Sequence, residues 1–181
     1  MDEKKVKKSQ KDTASSRRTL RVAHCGVLVA LALIFSYVEA LIPISVGVPG
    51  VKIGLANLVV LFGLTFLMPG EVLAVSVARI FLAGFLFGSG ISILYSLCGG
   101  LLSFLVMYLL TRTKGFSMTG VSIAGGVSHN IGQILCAAFI IRSAKLLWYL
   151  PVLIAAGVAA GFLMGLLFTL IRRALPETFS V

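Results

Sequence analysis

Between residues 22 and 171 the chain is a succession of continuous apolar runs, and that continuity limits its fold more than any other feature. The strands of a transmembrane barrel alternate apolar with polar, which these runs do not. A soluble domain of 181 residues has too little interior to hide them, since hydrophobic residues make up 59% of the chain and charged ones 12%. The sequence therefore predicts an all-α integral membrane protein. Six spans can be drawn, at about 22–44, 53–68, 71–87, 89–111, 118–141 and 146–171. The second and third are short for the roughly 20 residues that a bilayer crossing takes. Pro69-Gly70 between them predicts a tight turn and hence a helical hairpin, with a re-entrant pair as the alternative.

Charge orients this plan. Lys4, Lys5, Lys7, Lys8, Lys11, Arg17, Arg18 and Arg21 precede the first span, Arg112 and Lys114 follow the fourth, and Arg172 and Arg173 follow the sixth. A cytoplasmic N-terminus puts all of these inside and leaves Lys52, Arg142 and Lys145 outside, as the positive-inside rule requires. Both termini are then cytoplasmic. Three regions follow: a basic tail over 1–21, expected to be disordered and to meet anionic lipid headgroups, a six-helix domain over 22–173, and a short tail over 174–181. The net charge of +10 reflects this asymmetry, so nucleic acid is not an expected partner. The first apolar run is too long for a cleavable signal peptide. Cys25, Cys98 and Cys136 fall in separate spans without metal-ligand spacing and are expected to act as small buried apolar residues.

Polar residues at membrane depth carry the functional information, because each costs free energy unless it faces protein, water or a ligand. Ser128-His129-Asn130-Ile131-Gly132-Gln133 interrupts the fifth span, with His129, Gln133 and Cys136 on one helix face and Asn130 widening the stripe. The stripe is either a ligand-binding wall or glue between helices. Arg79 lies about 12 Å into the third span and must meet a carboxylate, carbonyls or an anionic ligand. Glu39 is the in-span carboxylate placed for it. Lys52 and Asn57 enter the second span from a Pro- and Gly-rich outer loop, Lys52 as a snorkelling anchor or as a pocket residue. Glu39, Lys52, Asn57, Arg79, His129, Asn130 and Gln133 are therefore candidates for one outward-opening pocket. Gly157, Gly161 and Gly165 repeat at four-residue spacing on the sixth span, and Gly26 and Ala30 do so on the first. Such stripes serve helix packing or the docking of a partner membrane subunit.

Absences exclude several classes. There is no GxxxxGK[ST] loop for ATP, no HExxH, no GxSxG and no Asp-rich cluster to hold magnesium against a diphosphate. Neither an enzyme nor a metal or cofactor site is expected.

Pro49-Gly-Val-Lys-Ile-Gly-Leu-Ala-Asn57, the span bearing Arg79, Ser96-Leu-Cys-Gly-Gly100 and the segment from Gly120 to His129-Asn-Ile-Gly-Gln133 together resemble a bacterial family. It is known as Gx transporter or as heptaprenyl diphosphate synthase component I, and the resemblance covers the chain from about Val22 onward. The two names imply different roles. Without Asp-rich motifs the synthase name can describe only an accessory, non-catalytic membrane subunit that assists prenyl diphosphate or quinone synthesis. The transporter name implies a component of the bacterial plasma membrane for uptake of a small anionic solute, such as an isoprenoid- or quinone-related compound or a vitamin. The six-span plan also resembles the substrate-binding components of energy-coupling factor transporters. That likeness implies docking of the Gly26/Ala30 face on a membrane subunit driven by ATPases.

Overall fold

A computed structural model describes residues 3–41, 55–113 and 115–174. All of its regular elements are helical: α1 (Glu3–Leu41), α2 (Leu55–Phe66), α3 (Pro69–Phe87), α4 (Gly90–Arg112), α5 (Met118–Ile141), a 3-10 segment (Ala144–Tyr149) and α6 (Leu150–Ala174). Five stretches are long and apolar enough to cross a membrane, namely Thr19–Leu41 of α1, then α3, α4, α5 and the continuous Ala144–Ala174. The chain is thus a multi-pass helical membrane component. Lys52, most of the outer loop before α2, Lys114 and residues 175–181 lie outside the described residues.

The elements depart from expectation in three places. Helix α1 starts at Glu3, so the backbone of the basic segment is helical where a disordered tail was expected. The chain has no Gly or Pro before Gly26, and its Lys, Arg, Gln and Ala are good helix formers, so nothing breaks the helix upstream of the span. Pro69 and Gly70 do not form the turn between α2 and α3; they open α3, with the bend at Leu67 and Met68. Proline suits the first helical position, where its missing N–H has no intrahelical acceptor, and Glu71 Oε2 accepts from Met68 N–H at 3.0 Å. Helix α2 has 12 residues, about 18 Å of rise against a hydrocarbon core of about 30 Å. Its consecutive residues Leu58, Val59, Val60 and Leu61 are all buried, as befits a helix surrounded by protein on every side.

Packing divides the molecule. Helix α5 lies against both α4 and α6, with the principal core formed by Leu61, Val72, Met107, Val121, Met164 and Phe168. The glycine stripe on α6 is spent inside this core: a methyl group at Gly161 would fall 2.5 Å from Ile123 Cα, and one at Gly157 would fall 2.9 Å from Gly126 O. Side chains there would push two backbones apart. Helix α1, by contrast, packs only on α2 and α3 among the described residues. Just 6% of its apolar window is buried, against 44% for α5. Gly26 has no atom within 4 Å of where its Cβ would sit, and Ala30 is exposed beside it. Phe139 and Trp148 are each 85% exposed, side chains suited to a hydrocarbon surround and its interface.

Candidate functional site

Two contacts set the level of the elements that build the site. Arg21 Nη1 reaches Met68 Sδ at 3.7 Å, so the start of the α1 span lies beside the α2–α3 bend. At the other end of that span, Glu39 Oε1 accepts from Leu55 N–H at 2.8 Å. This N–H opens α2 and has no acceptor within its own helix, and a carboxylate suits the positive end of the helix dipole.

Between α1, α3 and α4 lies a cavity of about 250 Å³. Helix α1 contributes Ser36 and Glu39 to its lining, and α4 contributes Ser92 and Ser96. Helix α3 supplies Arg79 together with an apolar wall of Ile80, Ala83 and Phe87. The sequence places these groups locally through caps: Ser89 Oγ accepts from Ser92 N–H at 3.3 Å, which fixes the first turn of α4 and the direction of the serines that follow. On the opposite wall Tyr37 packs on Phe87, ring centroids 5.1 Å apart, and joins α1 to α3 at the cavity's edge.

Arg79 is the dominant group of this site. It is 6% exposed, and its Nε has no hydrogen-bond partner among the described residues. Glu39 acts on it electrostatically across the cavity. Ser36 Oγ is also buried without a hydrogen-bond partner among the described residues. A guanidinium that is always charged and buried, with a donor left unbonded, has the chemistry to accept a carboxylate, a carbonyl or an anion.

The other described candidates lie elsewhere. Ser128 Oγ donates to Ala124 O of its own helix at 2.7 Å. Asn130 Nδ2 donates to Leu153 O of α6 at 2.8 Å, which is a helix–helix bond. His129 and Gln133 pack against Gly99 of α4, where a methyl group would fall 2.7 Å from Gln133 Cγ. Asn57 is buried near the start of α2 and is not part of the cavity lining. The structure therefore brings Glu39 and Arg79 together in one cavity and sets the α5 stripe one turn along α4, from Ser96 to Gly99, against the neighbouring helices. Sequence reasoning missed Ser36, Ser92 and Ser96. The cysteines are less buried than expected, with Cys98 exposed.

No curated protein and no solved structure matches the chain. The pattern of the family described as heptaprenyl diphosphate synthase component I matches residues 28–171, which takes in every residue of the cavity. The chain belongs to the heptaprenyl diphosphate synthase component I family.

Proposed function

We propose that this protein is a substrate-binding membrane component for uptake of a small anionic solute. The observation that carries the reading is Arg79, buried in a cavity with its Nε unbonded. Glu39 and the serines of α1 and α4 complete the site, and their hydroxyls orient the bound group. In the orientation given by the charges, the cavity lies in the outer half of a bacterial plasma membrane, where a solute arriving from outside reaches it. Uptake needs energy from a partner, since the chain carries no ATPase motif. The exposed small-residue face at Gly26 and Ala30 supports docking of such a membrane subunit on α1.

Native mass spectrometry of the detergent-purified protein tests this reading. A retained anionic molecule is expected in the wild type and is lost in Arg79→Gln. Retention by the folded variant overturns the assignment.

A second reading is favoured by the family description, which names a component of a synthase. In it the protein is a non-catalytic membrane subunit that presents or receives the anionic headgroup for a soluble prenyl synthase. Co-purification separates the two: an ATPase-bearing membrane complex supports uptake, and a soluble prenyl synthase supports the accessory role.

A further inference from the structure

We infer that the cavity takes a singly charged phosphate ester, in preference to a carboxylate or a diphosphate. The inference rests on the cavity being the anion site proposed above, and it follows from the direction and charge of the groups that line it. A carboxylate is planar: a guanidinium fork takes two of its four acceptor sites, and the other two lie in the same plane. Here the hydroxyls come from other walls, Ser36 on α1 and Ser92 and Ser96 on α4, with Arg79 on α3 between them. A carboxylate seated on Arg79 has only these in-plane sites left for hydroxyls on separate walls, among them the buried Ser36 Oγ, which has no hydrogen-bond partner among the described residues. A tetrahedral phosphate directs oxygens several ways at once and engages the fork and the hydroxyls together.

Charge sets the second limit. Glu39 lies on the same lining and acts on Arg79, so the positive charge that the lining offers an anion is partly offset. A ligand with one negative charge adds little excess in this low-dielectric setting. A diphosphate adds two or three and is disfavoured by the nearby carboxylate. Size agrees: a cavity of about 250 Å³ holds a phosphate group and a small substituent against Phe87, and cannot enclose a heptaprenyl chain. A phosphodiester of a lipid headgroup and a singly ionised soluble monoester share this chemistry.

Calorimetric titration of the full-length protein in detergent, with dimethyl phosphate, acetate and pyrophosphate as probes, tests the inference. Dimethyl phosphate is expected to bind at least about 10-fold tighter than either of the others. Arg79→Gln weakens that binding by about 100-fold, and Ser92→Ala with Ser96→Ala weakens it by about 10-fold while lowering acetate affinity by less than about 3-fold. Acetate binding as tightly as dimethyl phosphate, or pyrophosphate binding tightest, overturns the inference and leaves the anion site standing. Absence of any Arg79-dependent anion binding overturns both. Mass spectrometry of the purified protein then separates the sources. A phospholipid released by Arg79→Gln assigns a headgroup, and a retained water-soluble phosphate ester assigns a solute.

Discussion

Two polar regions sit at membrane depth in this molecule, and they solve the same physical problem in opposite ways. On α5, the polar stripe is absorbed by its neighbours: Ser128 bonds its own helix, Asn130 bonds α6, and Gln133 lies in a close crossing with α4. In the cavity between α1, α3 and α4, Arg79 Nε and Ser36 Oγ are buried with no such partner among the described residues. A membrane-embedded polar group that has met a backbone carbonyl is accounted for as structure. One that has not keeps a donor or acceptor available to a ligand or to water. The density of polar residues in sequence is thus a poorer guide to function than their satisfaction in space. The packing follows the same division, tight around α5 and sparse around α1.

The comparison is broken most severely by attacking the packed side. Gly161→Val sets two methyl groups against the backbone of α5, which cannot yield locally, and is expected to cost about 3 kcal/mol. Gly26→Val on the open face of α1 is expected to change stability by less than about 0.5 kcal/mol. Unfolding in mixed micelles measures both. Equal losses at the two positions would mean that the contrast in packing is wrong.

Next in size is the cavity itself. Arg79→Gln is expected to lower affinity for a singly charged phosphate ester by about 100-fold, or about 2.7 kcal/mol. Its effect on stability is expected to stay within about 1 kcal/mol, because relief from burying the charge offsets the lost attraction to Glu39. Asn130→Leu shows the reverse pattern: it loses about 1 kcal/mol of stability with the bond to Leu153 O and leaves anion affinity unchanged. Paired calorimetry and unfolding on the two variants give a crossed result if the regions differ as described. A fall in anion affinity with Asn130→Leu would join the α5 stripe to the binding site.

Much of the fold was legible in the chain. Apolar runs of sufficient length fix α3, α4, α5 and α6 nearly to their ends, since a bilayer leaves the backbone no alternative to the helix. The short α2 was legible as an anomaly, and its burial on every side explains why it need not span. The start of α1 was misjudged because a polar, charged segment reads as disorder, although its residues are good helix formers. Arg79 and Glu39 were legible as a pair because ionised groups in apolar spans are rare enough to be noticed singly. Ser36, Ser92 and Ser96 were not, since they stand on two helices more than fifty residues apart and only tertiary packing brings them to one cavity. Gly157, Gly161 and Gly165 were visible as a stripe, but whether they met α5 or a foreign helix was a matter of contacts that spacing alone does not contain.

Glu39 belongs to both regions, and the smallest expected effect therefore separates them most finely. Its Oε1 accepts the first N–H of α2, a structural duty, while its charge acts on Arg79. Glu39→Gln keeps an oxygen for Leu55 N–H and removes the charge, so stability is expected to fall by only about 0.5 kcal/mol, the share owed to the helix dipole. Relieved of the carboxylate, the cavity is expected to bind anions more tightly, by about 3-fold for dimethyl phosphate and by more for pyrophosphate, whose extra charge the wild type repels. The preference between the two probes narrows as a result. Calorimetry on the variant reads that narrowing directly. If the two affinities rise by the same factor, or not at all, Glu39 serves the end of α2 alone and does not set the charge that the cavity accepts.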